Sequence, residues 1–217
     1  MIEIFYLFFA YILGSIPFGY IFTKIFAKKN ILEIGWKKTS GSNVFKNIGR
    51  IPGALTGIFD LLKGFFAVWL AKNFNFPSSI QILAGVAAVS GHNWSIFLKF
   101  AGGRGIGTFV GAALSLSPKL LGFSIIPLII LGIIWNASIG TIFFLMTTII
   151  LSLYFNQFEP MGLFSLLSLL PIFIKRLSPI GEIKEKKDLI KNRLIFDNDE
   201  PCLDLRIKKI ISRLTRK

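Results

Sequence analysis

Long apolar runs alternate with short polar segments along most of this chain. A helix needs about 20 apolar residues to cross a bilayer, or about 17 at the short end. The pattern predicts an all-α integral membrane protein, a bundle of about seven transmembrane helices at residues 4–23, 52–71, 79–98, 105–118, 120–137, 138–156 and 160–175. Gly14, Pro17 and Gly19 predict a kink in the first helix, where neighbouring helices can satisfy the freed carbonyls.

Lysine and arginine residues indicate how the helices are oriented. Most of the 25 basic residues lie in residues 24–51, in the loop near 92–107 and in the tail from residue 175. Cytoplasmic segments of membrane proteins are enriched in these residues. We therefore expect the N-terminus outside, with the basic loops and the C-terminus in the cytoplasm. The net charge of +14 then reflects topology, and nucleic acid is not an expected partner.

Composition supports this class of protein. Of 217 residues, 53% are hydrophobic and only 17% are charged, and the mean hydropathy is +0.66. Soluble domains carry about a quarter charged residues, so this chain has too little polar surface for an ordinary soluble enzyme. The single cysteine, Cys202, permits no internal disulfide, and the single histidine, His92, excludes most multi-histidine metal sites.

We expect two regions along the chain: a transmembrane helical domain at residues 1–175 and a basic cytoplasmic tail at residues 176–217. From Leu203 onward, apolar residues recur at helical spacing between lysines and arginines. This pattern is typical of an amphipathic helix that lies on an anionic leaflet. A solvated tail stays open as the alternative.

Two cytoplasmic loops combine groups that can bind a phosphate. The first contains Ser40, Gly41, Asn47 and Arg50. Hydroxyl and backbone N–H groups donate hydrogen bonds to an anion, and an arginine can hold two oxygens at once. A polar turn with cations that set topology would have the same composition, so both interpretations stay open for this loop.

The second loop surrounds Arg104 with Gly102, Gly103 and Gly105, just before a predicted helix. Glycines let the backbone approach an anion closely, and the start of a helix adds N–H groups and the positive end of its dipole. This turn therefore predicts a phosphate site at the cytoplasmic end of a membrane helix.

Asp60 and Lys63 lie inside the second predicted helix, three residues apart and so on one helix face. Within a membrane, such a pair is expected to neutralise itself and to support a site. A proton or ion relay, and hence a small transporter, is the alternative.

His92 is the residue that titrates nearest to neutral pH, but no acidic residue lies near it in sequence. No serine–histidine–aspartate set can therefore be assembled, and if the chain transfers an acyl group we expect no acyl-enzyme nucleophile.

Together these segments resemble the bacterial acyl-phosphate:glycerol-3-phosphate acyltransferases, integral enzymes of the inner membrane. The resemblance covers residues 11–111 in motif terms. It rests on four segments that occur in the family's order: Gly14 to Tyr20, then Ser40-Gly41 with Asn47 and Arg50, then Asp60, Lys63 and Gly64, then Gly91 to Thr108.

The resemblance implies an enzyme of seven membrane helices in the bacterial cytoplasmic membrane, with its active site facing the cytoplasm. Members of the family transfer a fatty acyl group from acyl phosphate to the 1-hydroxyl of glycerol 3-phosphate. The product is lysophosphatidic acid, for phospholipid synthesis, and no cofactor or metal is expected. The implied partners are the two substrates and membrane lipids. Acyl phosphate is an activated mixed anhydride, so binding and orientation are expected to carry the catalysis.

The resemblance also assigns a site. Ser40, Arg50 and Arg104 are the expected catalytic residues: the arginines hold phosphates, and Ser40 orients the acyl phosphate. Asp60 and Lys63 support the site. The expected substrate-binding residues, among which His92 supports the second loop, are Gly41, Asn47, His92, Gly102, Gly103, Gly105 and Thr108.

The chain departs from the family pattern in both loops and in the tail. Arg104 replaces a lysine, and the larger, planar arginine is not a neutral exchange at a tight phosphate site. The family's third motif has a histidine, an asparagine and a glutamate after the last helix, but no histidine follows His92 here. Glu182, Asn192 and Arg193 lie nearby and receive no role. The main alternative is therefore a non-catalytic paralogue that binds lipid phosphates or regulates an active enzyme.

Overall fold

The computed structural model describes residues 1–178 and 187–198, and the regular structure within these ranges is helical. Short helical turns lie at Ile31–Glu33, Ile96–Leu98 and Phe158–Gly162. The α-helices of the described ranges are, in chain order, α1 (Ile2–Ser15), α2 (Phe18–Ala27), α3 (Gly41–Asn47), α4 (Arg50–Asn73), α5 (Ser78–Asn93), α6 (Ile106–Leu116), α7 (Pro118–Ser124), α8 (Ile126–Ile134), α9 (Ala137–Tyr154), α10 (Leu163–Leu177) and α11 (Lys187–Phe196). The amphipathic helix predicted from Leu203 lies outside the described residues.

Several of these helices have the length and hydropathy of membrane spans. Among the described residues, four stretches qualify on both counts: Ile2–Ala27, Arg50–Asn73, Ala137–Tyr154 and Phe158–Leu177. Shorter apolar helices cover Ile106–Leu116 and Pro118–Ile134. Large apolar side chains are exposed along most of these helices, as expected for surfaces that face lipid rather than water. The predicted all-α membrane architecture is confirmed at this level.

Helix α5 lies inside the bundle, where it contacts α1, α4, α6 and α10. Its small residues Ala84, Ala88 and Val89 are fully buried. Because its neighbours shield it from lipid, this helix can carry the polar residues His92 and Asn93 at its end.

The predicted kink in the first span is confirmed: α1 ends before Pro17, and α2 follows it. Side chains from other elements satisfy the carbonyls at the break. The Ser95 hydroxyl donates to the Ser15 carbonyl over 2.6 Å, and the Lys63 ammonium donates to the Ile16 carbonyl over 3.0 Å. The break is thus tied to α4 and to the loop after α5, as irregular backbone at membrane depth requires.

The third predicted helix, at residues 79–98, ends earlier than expected, at Asn93. The apolar residues after Asn93 belong to a closed loop. In this loop the Phe100 N–H donates to the Ser95 carbonyl over 2.8 Å, and the Ser95 N–H donates to the Ala101 carbonyl over 3.1 Å. An apolar run alone does not distinguish such a loop from the last turn of a helix.

The fifth predicted helix, at residues 120–137, consists of two helices, α7 and α8. Pro127 lies at the start of α8. It has no N–H group to donate to the carbonyl four residues earlier, so the helix divides there.

Glycines bring α4 and α6 into close contact. A Cβ atom added at Gly64 would overlap the carbonyl oxygen of Thr108, and one added at Gly111 would overlap that of Leu61. In a membrane, where helices gain little by leaving lipid, such backbone contacts are a main source of helix association.

We expect Gly64→Ala to destabilise the bundle, because the new methyl group would meet backbone rather than a movable side chain. Overpacking of this kind typically costs about 1–3 kcal/mol. Gly57→Ala is the matched control, since Gly57 lies on the same helix and a Cβ atom added there would meet nothing within 4 Å. Thermal unfolding of both variants in one detergent checks the prediction, and equal melting temperatures would contradict it.

Candidate active site

The buried side chain of Asn43, in α3, organises the first loop. Its Oδ1 atom accepts hydrogen bonds from the Trp36 N–H over 3.0 Å and from Asn47 Nδ2 over 2.8 Å. Its Nδ2 atom donates to the carbonyls of Ile34 over 3.1 Å and Lys38 over 2.8 Å. One amide therefore folds residues 34–38 back onto α3 and fixes the direction of the loop.

The two polar loops meet directly. The Thr39 N–H donates to the Gly102 carbonyl over 3.5 Å. Ser40 and Gly41 follow at once, and Gly41 lies against the backbone of α4 at Gly53 and Gly57. The start of α3 and the glycine turn thus form one continuous surface.

The glycine turn packs on the last residues of α5. The Gly103 N–H donates to the His92 carbonyl over 3.1 Å. A Cβ atom at Gly103 would overlap the Nε2 atom of His92. Gly105 has a φ of +77°, in the left-handed region that favours glycine. These contacts explain why glycines flank Arg104 in this turn.

A buried cluster of three ionisable side chains lies behind the turn. One oxygen of Asp60 is 2.9 Å from the Lys63 ammonium and 3.3 Å from His92 Nδ1. All three residues are at most 5% exposed. Lys63 also donates to the Ile16 carbonyl. The cluster therefore connects the break in the first span, through α4, to the histidine on which the glycine turn rests.

A cavity of about 540 Å³ opens in front of the turn. The loop before α3, the second loop, the end of α10 and the end of α11 contribute to its lining. The charged side chains in the described lining are six cations and one carboxylate: Lys37, Lys38, Lys99, Arg104, Lys175, Arg193 and Asp197. This excess of positive charge favours an anionic ligand.

Arg104 is held in this cavity from two sides. Its Nη1 atom donates to the Lys175 carbonyl, at the end of α10. Its Nη2 atom lies 2.6 Å from the Asp197 carboxylate, which is also 3.3 Å from the Lys38 ammonium. The Lys175 ammonium donates to the Phe100 carbonyl over 3.3 Å. The second loop is thereby attached to the last membrane helix.

Comparison with known proteins decides the family. The family model for glycerol-3-phosphate acyltransferase matches residues 4–186. The chain belongs to this family.

Individual relatives agree with this assignment. A glycerol-3-phosphate acyltransferase of Prochlorococcus marinus is 36% identical over 143 residues, which cover 64% of this chain and 70% of the relative. One of Desulforamulus reducens is 32% identical over 157 residues, which cover 72% of this chain and 70% of the relative. The crystal structure of PlsY (YgiH), an integral membrane glycerol 3-phosphate acyltransferase, in its glycerol 3-phosphate form has a TM-score of 0.73 at 25% identity, covering 85% of this chain and 93% of that one.

The structure brings only part of the predicted site into the cavity. Gly102, Gly103 and Arg104 line it. Gly105, His92, Asp60 and Lys63 lie behind it, and Ser40 and Gly41 adjoin it through Thr39. The remaining predicted residues are not in the described lining: Arg50 is exposed at the start of α4, Asn47 bonds Asn43, and Thr108 is buried against Gly64.

Several residues that line this cavity or shape the loop before it escaped prediction from sequence. Lys38 belongs to the cluster of cations that indicated topology, and nothing local distinguishes it from its neighbours. Lys175, Arg193 and Asp197 reach the cavity only because α10 and α11 fold back onto the loops. Asn43 was visible in the sequence only as an amide inside the first polar loop. The sequence shows neither that this side chain is buried nor that it makes four hydrogen bonds.

We expect Asn43→Ala to loosen the first loop, because four backbone and side-chain groups would each lose a hydrogen bond to the buried amide, including the Trp36 N–H and the Lys38 carbonyl. An unsatisfied buried group costs about 1–3 kcal/mol, so local opening should become at least about tenfold more frequent. Limited trypsin digestion after Lys37 and Lys38 measures this opening. Ser42→Ala is the control, since its exposed hydroxyl contacts only Ser40 in the described structure. Equal cleavage rates in both variants would contradict the prediction.

Proposed function

We propose that this chain is an acyl-phosphate-dependent glycerol-3-phosphate acyltransferase of the bacterial cytoplasmic membrane. It transfers a fatty acyl group from acyl phosphate to the 1-hydroxyl of glycerol 3-phosphate and releases inorganic phosphate, giving lysophosphatidic acid. The observation that carries this proposal is the cationic cavity at the glycine turn, in a chain of this acyltransferase family.

The proposed topology has seven membrane passes, with the N-terminus outside and the cavity facing the cytoplasm. The first pass is formed by α1 together with α2, and the fifth by α7 together with α8. Each of the other five passes is a single helix: α4, α5, α6, α9 and α10. Support comes from the basic loops and the end of α10, which share one cavity and therefore one side of the bundle. Enrichment of lysine and arginine on that side favours the cytoplasm. Residues 1–175 are the proposed transmembrane domain and residues 176–217 the proposed cytoplasmic tail.

In the proposed reaction, the 1-hydroxyl oxygen of glycerol 3-phosphate attacks the acyl carbonyl carbon. The bond from that carbon to the phosphate oxygen breaks, phosphate leaves, and the hydroxyl proton passes to a substrate phosphate. Because the leaving group of a mixed anhydride is already good, the protein mainly holds two reactants together. Positioning of this kind can supply about 7–11 kcal/mol of the barrier.

Each part of the site has a proposed role. Arg104, with Lys38 and Lys175, holds one phosphate in the cavity and neutralises developing charge. Ser40 and the N–H groups of the glycine turn orient the acyl phosphate. Arg50 lies outside the cavity, at the exposed start of the long helix α4. Arg50 is proposed to bind the phosphate of the second substrate there, because the N-termini of helices favour anions.

His92 is proposed as a positioning residue rather than a general base. One of its ring nitrogens faces Asp60, and the other is covered by Gly103, so no nitrogen is directed at a substrate. Asp60 and Lys63 neutralise each other beside it. This pairing supports a structural role for the cluster, and it gives the transporter alternative no separate support.

We expect Arg104→Ala and Arg50→Ala each to lower acyl transfer at least about tenfold, since a charge-assisted contact to a phosphate is worth about 1.5–3 kcal/mol before transition-state effects are added. The assay follows lysophosphatidic acid formation by purified protein from acyl phosphate and glycerol 3-phosphate. Lys29→Ala, which removes an exposed cation elsewhere on the basic surface, should leave the rate unchanged.

Three outcomes distinguish the alternatives. Full turnover in the Arg104 variant would remove the proposed site. Binding of glycerol 3-phosphate without turnover by the wild-type protein would favour the non-catalytic paralogue. Product formed from acyl-CoA or acyl carrier protein as readily as from acyl phosphate would overturn the proposed donor.

A further inference from the structure

Among the charged side chains of the described cavity lining, one is a carboxylate. Asp197 Oδ1 lies 2.6 Å from Arg104 Nη2 and 3.3 Å from Lys38 Nζ. The three side chains are between 13% and 21% exposed, so water only partly screens the interaction. A single oxygen that accepts from an arginine and a lysine has the surroundings that a phosphate oxygen would have in the same place.

The position of Asp197 is set by the docking of α11. Arg176, near the end of α10, donates to the Leu194 carbonyl over 2.6 Å, and Arg193 donates to the Leu177 carbonyl over 3.4 Å. Asp197 follows the last turn of α11, with its N–H bonded to the Arg193 carbonyl. Helix α11, which closes one side of the cavity, therefore places the Asp197 carboxylate in the cavity lining.

We propose that Asp197 sets the anion affinity of the cavity by competing with a ligand phosphate for Lys38 and Arg104. The inference rests on the proposed function, in which this cavity binds the phosphate of a substrate. It adds that a phosphate can take both cations only when the carboxylate releases them. Phosphate binding is then an exchange of one anion for another of higher charge, which limits how tightly substrate or product is held.

A purely structural role for Asp197 makes the opposite prediction. If the carboxylate served only to aim Arg104 at the ligand, its removal would leave the guanidinium misplaced and would weaken anion binding. The sign of the effect therefore separates competition from positioning.

The test measures binding of inorganic phosphate to the purified full chain in detergent by isothermal titration calorimetry at fixed ionic strength. We expect Asp197→Asn, which keeps the shape and removes the charge, to bind phosphate about tenfold more tightly than the wild type. Glu159→Gln is the matched control. It removes one exposed carboxylate in the helical turn Phe158–Gly162, which precedes α10 at the end opposite to Lys175, and it should change the affinity little.

A second comparison tests whether the tighter phosphate binding depends on the Lys38–Arg104 pair. In an Arg104→Ala background, Asp197→Asn should tighten phosphate binding by much less, because one of the contested cations is gone. Should the Asn variant not yield a monodisperse protein, Asp197→Ser removes the same charge with a smaller side chain.

Unchanged or weaker phosphate binding in the Asp197 variant would overturn the inference, whatever the enzyme assay shows. Tighter binding in a protein without acyl transfer would support it and count against the proposed function instead. In an active protein, the same substitution should lower the KM for the phosphate-bearing substrate that uses this cavity.

Discussion

The buried cluster of Asp60, Lys63 and His92 is the interaction on which the rest of the structure depends. A charge buried in a membrane bundle is tolerated only when it is paired and hydrogen-bonded. The carboxylate of Asp60 meets this requirement with two partners, and Lys63 meets it with the carboxylate and the carbonyl of Ile16. Satisfying these groups fixes three separate parts of the chain relative to one another: the break in the first span, the middle of α4 and the end of α5.

The catalytic proposal follows from that constraint. Because His92 is held by Asp60, its ring and carbonyl form a fixed surface for Gly102 and Gly103, and Arg104 follows directly in the turn. The first loop then attaches to the turn through its backbone, and the end of α10 attaches through Arg104. Transfer from an activated acyl donor requires that the two phosphate-bearing reactants be held close together more than it requires a reactive side chain. A rigid turn surrounded by cations suits that task.

Local sequence patterns predict several features of the fold and of the site. Pro17 marks the kink, the three-residue spacing pairs Asp60 with Lys63, and the glycines around Arg104 indicate a close backbone approach. Contacts between distant segments left no local signal. Nothing near His92 in sequence shows that Asp60 is its partner, since α4 and α5 must pack before the two meet. Lys175 and Asp197 likewise reach the cavity only through the packing of α10 and α11, and helix length was misjudged where apolar residues after Asn93 form a loop.

The single histidine of the chain allows a direct measurement of the central cluster. In protein labelled with ¹⁵N-histidine and purified without a histidine tag, the ring gives one pair of nitrogen NMR signals. The account predicts a protonated Nδ1 that is hydrogen-bonded to a carboxylate, with signals that move markedly in Asp60→Asn. A ring with an unprotonated Nδ1, or signals that are the same in wild type and Asp60→Asn, would contradict it.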